Sequence, residues 1–301
     1  MRRNKMAKTQ TIFEGVATAL ITPMTEDGVN YEQYGRLIDW QIEQGIDALV
    51  IAGTTGEGST LSDEEHKECI RFAVEKVAGR VPVIAGTGSN DTEYGKQLTR
   101  FACEAGADAC LVVTPYYNKA TQGGLVKLFK EYAEVSSVPI IAYNVPSRTG
   151  VNIEPATYAK LAEIDGIAAI KEANGDISKI VSTFALVGDK LDLYSGNDDQ
   201  IVPLLAMGSK GVISVLSNVV PAETREICSR FWAGDVEGAA TLQCKYNELV
   251  ASLFCEVNPI PVKEAMAVLG YCDPILRSPM YRMEEANLAR LKAAMKEVGV
   301  I

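Results

Sequence analysis

Eight short apolar runs recur along the 301-residue chain, spaced roughly 30 residues apart. They occupy 15–22 (GVATALIT), 48–53 (ALVIAG), 81–88 (VPVIAGTG), 109–115 (ACLVVTP), 139–146 (PIIAYNVP), 167–173 (IAAIKEA), 191–197 (LDLYSGN) and 211–217 (GVISVLS). Most are continuous rather than alternating, which is the pattern of strands buried on both faces of a parallel sheet. Amphipathic segments lie between them, clearest at 31–44, 64–77, 93–105 and 124–134. Eight strands alternating with helices predict a closed (β/α)8 TIM barrel. A doubly wound open sheet is the competing architecture, but it carries a glycine-rich dinucleotide turn after its first strand. Here the first run leads into Pro23, Met24, Thr25, Glu26, Asp27 and Gly28, which reads as a plain turn. The barrel is expected to close near residue 235. The chain then divides into a barrel, 1–235, and a C-terminal helical extension, 236–301, with helices at 236–254, 260–269 and 284–298. No low-complexity linker separates the two, so the extension is expected to pack on the barrel.

Charge and composition narrow what such a chain does. The formal net charge of −10 disfavours nucleic acid and anionic membrane surfaces as partners. Arg2, Arg3, Lys5 and Lys8 form the only basic cluster and read as a solvated tail; Met6 could equally be the natural start. No long apolar stretch follows that cluster as in a secretory signal, and no run approaches the roughly 20 apolar residues of a membrane span. The seven cysteines are odd in number and form no C-x-x-C pair, which predicts reduced thiols in a reducing, cytoplasmic compartment. With His66 as the one histidine, zinc held by histidines is ruled out.

In a barrel of this kind the chemistry belongs to the C-terminal ends of the strands. Lys171 follows Ile167, Ala168, Ala169 and Ile170 and projects from an apolar strand into the barrel mouth. Two readings stand there. It is a strand-end lysine paired with Glu172 or Asp198, or it is a desolvated amine of lowered pKa that attacks a ketone to form an iminium. The turn Gly53-Thr54-Thr55-Gly56 is either an ordinary loop or a nest of N–H groups for a carboxylate. Tyr143 and Tyr117 end neighbouring strands, as core-capping rings or as hydroxyls relaying protons with Thr54. Arg148 is a surface ion-pairing residue or a bidentate carboxylate clamp. One lysine, a carboxylate nest, two tyrosines and an arginine mapped to one barrel face are more specific together than any member alone.

At these residues the sequence resembles the dihydrodipicolinate synthase (4-hydroxy-tetrahydrodipicolinate synthase) family over nearly its whole length. The segments that carry the resemblance are GTTGEGSTL at 53–61, AGTGSN at 85–90, TPYYNK at 114–119, YNVPSRTG at 143–150, IKEA at 170–173, SGND at 195–198 and NPIPVKEA at 258–265. The resemblance implies that Lys171 forms a Schiff base with pyruvate and that Thr55 holds its carboxylate. Thr54, Tyr143 and Tyr117 would form a proton relay, with Tyr143 as general acid/base and Tyr117 reaching in from a neighbouring subunit. Arg148 would bind the carboxylate of aspartate semialdehyde, and Gly196 and Ile213 would line the pyruvate site through their backbone. No metal or organic cofactor is implied, and the family's usual assembly is a homotetramer, a dimer of dimers. Some members bind lysine as a feedback inhibitor; His66, Asn90 and Tyr116 match that site. Asp63 stands where inhibited enzymes often carry histidine, and Tyr94, beside Glu93, where they carry an acid, which implies weak or absent inhibition.

Two alternatives frame this expectation. A related pyruvate-dependent aldolase, of the N-acetylneuraminate lyase or 2-keto-3-deoxy sugar acid type, would share the lysine, tyrosine and loop, but a polyol substrate does not need Arg148. An inactive barrel serving as a binding protein would not need Lys171, Tyr143 and Thr54 intact.

Overall fold

The computed structural model describes residues 11–301; Arg2, Arg3, Lys5, Lys8 and Met6 lie outside the described residues. Each of the eight apolar runs contains a strand. We number the barrel strands β1 (Gly15–Ala19), β2 (Ala48–Ile51), β3 (Val83–Gly86), β4 (Ala109–Val113), β5 (Ile140–Asn144), β6 (Ile167–Glu172), β7 (Asp192–Ser195) and β8 (Gly211–Ser214). They pair in sequence order, all parallel, and β1 pairs with both β2 and β8, so the sheet closes into a barrel. The strands are shorter than the apolar runs because residues such as Leu20, Ile21 and Val145 leave the ladder yet stay buried in the loops above it.

Side-chain alternation along each strand divides the core in two. One cluster fills the barrel with small and medium side chains, including Ala17, Ala48, Ile84, Ala109, Ile141 and Ala169. Phe13, just before β1, stacks on Tyr194 with ring centroids 4.2 Å apart, which plugs the barrel near its N-terminal end. The other, larger cluster lies between the strands and the surrounding helices.

Several of the helices begin where their sequences supply caps. Asn30, Asp91 and Thr121 each accept a hydrogen bond from a first-turn N–H of the helices Tyr31–Glu43, Thr92–Ala105 and Gln122–Val135. Ser62 and Glu65 form a reciprocal capping box at the start of Asp63–Val77, directly after the loop that follows β2.

Two local features depart from the sequence reading. The turn at 23–28 is a small antiparallel ribbon, Met24–Thr25 against Gly28–Val29, turning at Glu26 and Asp27. The helix expected at 236–254 is two helices, Val236–Lys245 and Asn247–Leu253. Tyr246 sits between them with φ −92° and ψ 4°, and its N–H bonds to the carbonyl of Gln243, one residue short of the helical partner. Ile260–Val268 and Glu285–Glu297 complete the C-terminal region, which therefore holds four helices rather than three. The helix Ile260–Val268 buries Val262, Ala265 and Met266 and, with them, Lys263. Lys263 and Glu57, both fully buried, form an ion pair that ties this helix to the loop after β2.

Candidate active site

Ala169 and Lys171 face the barrel interior, while Ile170 and Glu172 face the helices. Alternation along β6 therefore answers the first question about Lys171: Glu172 is not its partner. The Glu172 carboxylate instead accepts hydrogen bonds from Asn144 Nδ2 at 2.9 Å, Tyr158 OH at 2.8 Å and Asn174 N at 2.9 Å. Burial pushes its pKa up to about 7, with those hydrogen bonds pulling the other way.

Lys171 is 6 % exposed, and among the described residues no carboxylate forms a salt bridge with it. Its Nζ stands 4.2 Å from the centroid of the Tyr143 ring, a contact that follows from the register pairing of Tyr143 with Lys171 across β5 and β6. Burial pushes the Lys171 pKa down to about 7; the Asp198 carboxylate pulls it back up and the Arg148 guanidinium adds to the depression. Asp198 is itself buried, which raises its pKa, and its Oδ2 accepts from Val215 N at 3.0 Å and Leu216 N at 2.9 Å. It thus joins the loops above β7 and β8 and supplies negative charge toward the amine.

Gly196 lies against the same lysine. A Cβ there would come within 2.8 Å of Ala173 Cβ and 3.2 Å of Lys171 Cε, so a larger residue would crowd the amine. Ile213 is buried in the barrel interior with Tyr143 and Tyr194.

The loop after β2 is built for close backbone packing. Ala52 and Glu57 adopt left-handed φ values of 53° and 57°. A Cβ on Gly58 or Gly86 would lie 2.1 Å or 2.6 Å from the Ala52 carbonyl oxygen. Glu57 N and Gly58 N close the turn onto Thr54 O and Gly53 O, whereas the N–H groups of Thr54 and Thr55 donate to no described residue. Free N–H groups in such a turn suit an anion. Thr55 is buried, and its Oγ1 accepts from Asn258 Nδ2 at 3.0 Å. Burial pushes the Tyr143 hydroxyl up to about 12, with Arg148 and the Thr54 hydroxyl pulling the other way.

Arg148 lies on the short helix Pro146–Thr149 after β5. Its Nη2 donates to the Asn258 carbonyl at 3.1 Å. It borders a cavity of about 500 Å³ that Thr54 and Tyr143 also line. The same cavity reaches His66, Asn90 and Tyr116, with Tyr94 beside them. His66 is buried, its Nε2 lies 2.8 Å from the Gly86 carbonyl, and burial holds its pKa below the ordinary value. A neutral ring donating Nε2–H to that carbonyl fits both facts.

Tyr117 is the member that one chain does not bring in. It is 91 % exposed, with φ 67°, and is not among the residues lining the cavity. Sequence reasoning, for its part, does not single out Asn258, although it lies in the NPIPVKEA segment; nor does it single out the Glu57–Lys263 pair. A lysine inside the apolar stretch IPVKEAMAV was the available signal for the pair, since a lysine buried at that spacing needs an acid.

Comparison with known proteins bears on the fold and the family. A model of the dihydrodipicolinate synthetase family matches residues 12–298. The 4-hydroxy-tetrahydrodipicolinate synthase of Acetivibrio thermocellus is 51% identical over 290 residues, covering 96% of this chain and 99% of the relative. That of Clostridium perfringens (strain ATCC 13124) is 50% identical over 291 residues, covering 96% and 100%. Among solved structures, the dihydrodipicolinate synthase of Aquifex aeolicus superposes with a TM-score of 0.94 at 44% identity, covering 96% of this chain and 99% of that one.

Proposed function

The chain belongs to the dihydrodipicolinate synthetase family, and on that premise we propose that it is a lyase catalysing the 4-hydroxy-tetrahydrodipicolinate synthase reaction. Pyruvate condenses with L-aspartate 4-semialdehyde, a step of lysine and diaminopimelate biosynthesis. The observation that carries the reading is Lys171, buried at the barrel mouth, without a salt-bridge partner among the described residues, with its pKa brought down to about 7.

At neutral pH a large fraction of such an amine is unprotonated and nucleophilic. Lys171 Nζ adds to the ketone carbon of pyruvate, water leaves, and the resulting iminium acidifies the methyl group, which loses a proton to the hydroxyl relay as the C–H electrons form the enamine double bond. Pyruvate's carboxylate rests on the free N–H groups of Thr54 and Thr55 and on the Thr55 hydroxyl, with the backbone of Gly196 and Ile213 alongside. Tyr143, which lines the cavity with Thr54, gives and takes the protons of carbinolamine formation and breakdown. The enamine carbon attacks the aldehyde, whose own carboxylate is held by Arg148. The substrate amine then attacks the iminium carbon, closes the ring and releases Lys171. No step calls on a metal or an organic cofactor.

In this reading the relay is completed by Tyr117 of the partner subunit. Its exposure in the single chain supports that role, and the assembly is a homotetramer built as a dimer of dimers. Seven free thiols fit a reducing, cytoplasmic setting, and among the described residues no helix is long and apolar enough to cross a membrane. Lysine feedback through His66, Asn90 and Tyr116 is weak or absent: Tyr94 puts a phenol where an acid is needed, and Glu93 pairs with Lys96 at 2.5 Å. Lysine at millimolar concentration that halves the rate would contradict this.

Turnover of pyruvate with aspartate semialdehyde, coupled to a nicotinamide-dependent reductase for the product, tests the reaction. Robust turnover is expected. A folded protein that forms a borohydride-trapped pyruvate adduct but does not turn over this aldehyde belongs with the sugar-acid aldolases instead.

A further inference from the structure

Asn258 touches both substrate clamps of the proposed reaction. Its side-chain Nδ2 donates to Thr55 Oγ1 at 3.0 Å, and its carbonyl oxygen accepts from Arg148 Nη2 at 3.1 Å. It lies just before the helix Ile260–Val268, 203 positions after Thr55 and 110 after Arg148 in the chain. It is 4 % exposed, and its Oδ1 meets no partner among the described residues.

That last feature argues against a purely structural amide. A buried acceptor left without a partner costs stability, and an apolar side chain of similar shape would avoid the cost. The return lies in what Nδ2 holds. The Thr55 hydroxyl can serve as acceptor to one neighbour and donor to another. With Asn258 donating to its oxygen, the hydroxyl hydrogen is left free to point at an anion in the loop above. Asn258 therefore fixes both the position of Thr55 Oγ1 and the direction of its hydrogen. The ion pair of Glu57 with Lys263, and the bond from Arg277 N to Glu57 Oε2 at 3.0 Å, anchor the same loop from the same region of the chain.

We propose that Asn258 is a positioning residue for the pyruvate clamp, acting through the Thr55 hydroxyl, while its main-chain carbonyl sets Arg148 for the second substrate. The assignment rests on the proposed reaction, in that it takes Thr55 to hold pyruvate. It divides the two functions of Asn258 by atom: the side chain serves pyruvate, and the backbone serves the aldehyde. Substituting the side chain removes the first and keeps the second.

The test uses the full chain in four forms: unaltered, Asn258→Ala, Thr55→Val and the double substitution. Borohydride trapping reads the half-saturating pyruvate concentration without needing the aldehyde, and steady-state turnover reads the KM for each substrate. Asn258→Ala is expected to raise the half-saturating pyruvate concentration about three- to tenfold, the effect of one lost hydrogen bond, and to leave the aldehyde KM within about twofold. Thr55→Val loses at least as much, and adding Asn258→Ala to it costs nothing further, because the residue through which Asn258 acts is already disabled. Fold-effects that multiply in the double variant, or an aldehyde KM that rises as much as the pyruvate value, would overturn the assignment. If alanine at this position does not yield folded protein, Asn258→Ser removes the same bond with a polar side chain and is read identically. Failure of the unaltered protein to turn over the aldehyde, with the adduct intact, refutes the second substrate and leaves the trapping comparison decisive; absence of any adduct in the unaltered protein overturns both readings.

Discussion

Lys171 Nζ stands 4.2 Å from the centroid of the Tyr143 ring, and the two residues are register partners on adjacent parallel strands. The strand pairing places the amine and the phenol side by side at the barrel mouth, each facing inward. Both groups respond to that enclosure in the same way: burial favours the uncharged form of each, bringing the lysine down to about 7 and the tyrosine up to about 12. The pair at rest near neutrality is a partly neutral amine beside a protonated hydroxyl, the states needed for attack on a ketone and for donation of a proton to its oxygen.

Adduct formation should follow the titration of that amine. Only the unprotonated form attacks, so at limiting pyruvate the rate of trapping rises with pH through about 7 and levels off above it. Below the midpoint it falls about tenfold per pH unit. Lys171→Ala abolishes the adduct, as read by intact mass after borohydride treatment. An adduct that survives on another lysine, or a rate flat from pH 6 to 9, would remove Lys171 from its role.

Asp198 acts on the same titration in the opposite direction. Its carboxylate favours the ammonium form of Lys171, so Asp198→Asn should move the midpoint of the trapping profile to lower pH. The amide oxygen can still accept from Val215 N and Leu216 N, which keeps the two loops joined and separates charge from scaffold. A midpoint that moves upward would show that Asp198 does not supply the opposing charge.

Arg148 borders the cavity without an acid partner among the described residues, leaving donors other than Nη2 available to a carboxylate. Arg148→Ala should raise the KM for aspartate semialdehyde about ten- to a hundredfold, the range for hydrogen bonds to a charged group. The pyruvate adduct should persist. Its loss in this variant would place Arg148 on pyruvate instead.

The Glu57–Lys263 pair is a matter of stability. Both side chains are fully buried, and Lys263→Met would leave the Glu57 carboxylate in the core without its cation. Breaking a buried pair from one side costs about 3–5 kcal/mol, which lowers the melting midpoint by roughly 10 °C. Glu57→Gln together with Lys263→Met removes the stranded charge and should recover much of the loss. A double variant as unstable as Lys263→Met alone would show that packing, not charge, is what Lys263 provides.

These cases also show what could be read from sequence. The barrel was legible because strands covered on both faces must be apolar throughout, and eight such runs leave few architectures. Lys171 was legible because a lysine ending an apolar run has nowhere to go but the barrel mouth. Its real electrostatic partner was not: sequence left Glu172 and Asp198 equal, and the two-residue alternation of β6 turns Glu172 away. Asn258 was hidden for a different reason, since its contacts with Thr55 and Arg148 join positions far apart in the chain and depend on how the C-terminal helices dock. The break at Tyr246 was hidden because nothing in its composition distinguishes it from a helix interior.

Tyr117 offers the sharpest test of assembly. At 91 % exposure and with a left-handed backbone, it stands open to solvent in the single chain, and the proposed role in catalysis is one that a second subunit would complete. Lys171→Ala and Tyr117→Phe should each be nearly inactive alone. If Tyr117 serves the neighbouring site, a mixed dimer has one site with both lesions and one with neither. Random exchange of equal amounts makes about half of the dimers mixed, and each mixed dimer has one working site of two, so about a quarter of the unaltered activity returns. Restoration should track the exchange of subunits, followed by native mass spectrometry. If Tyr117 instead served its own chain, every site in the mixture would carry one lesion, and no activity would return however completely the subunits exchange.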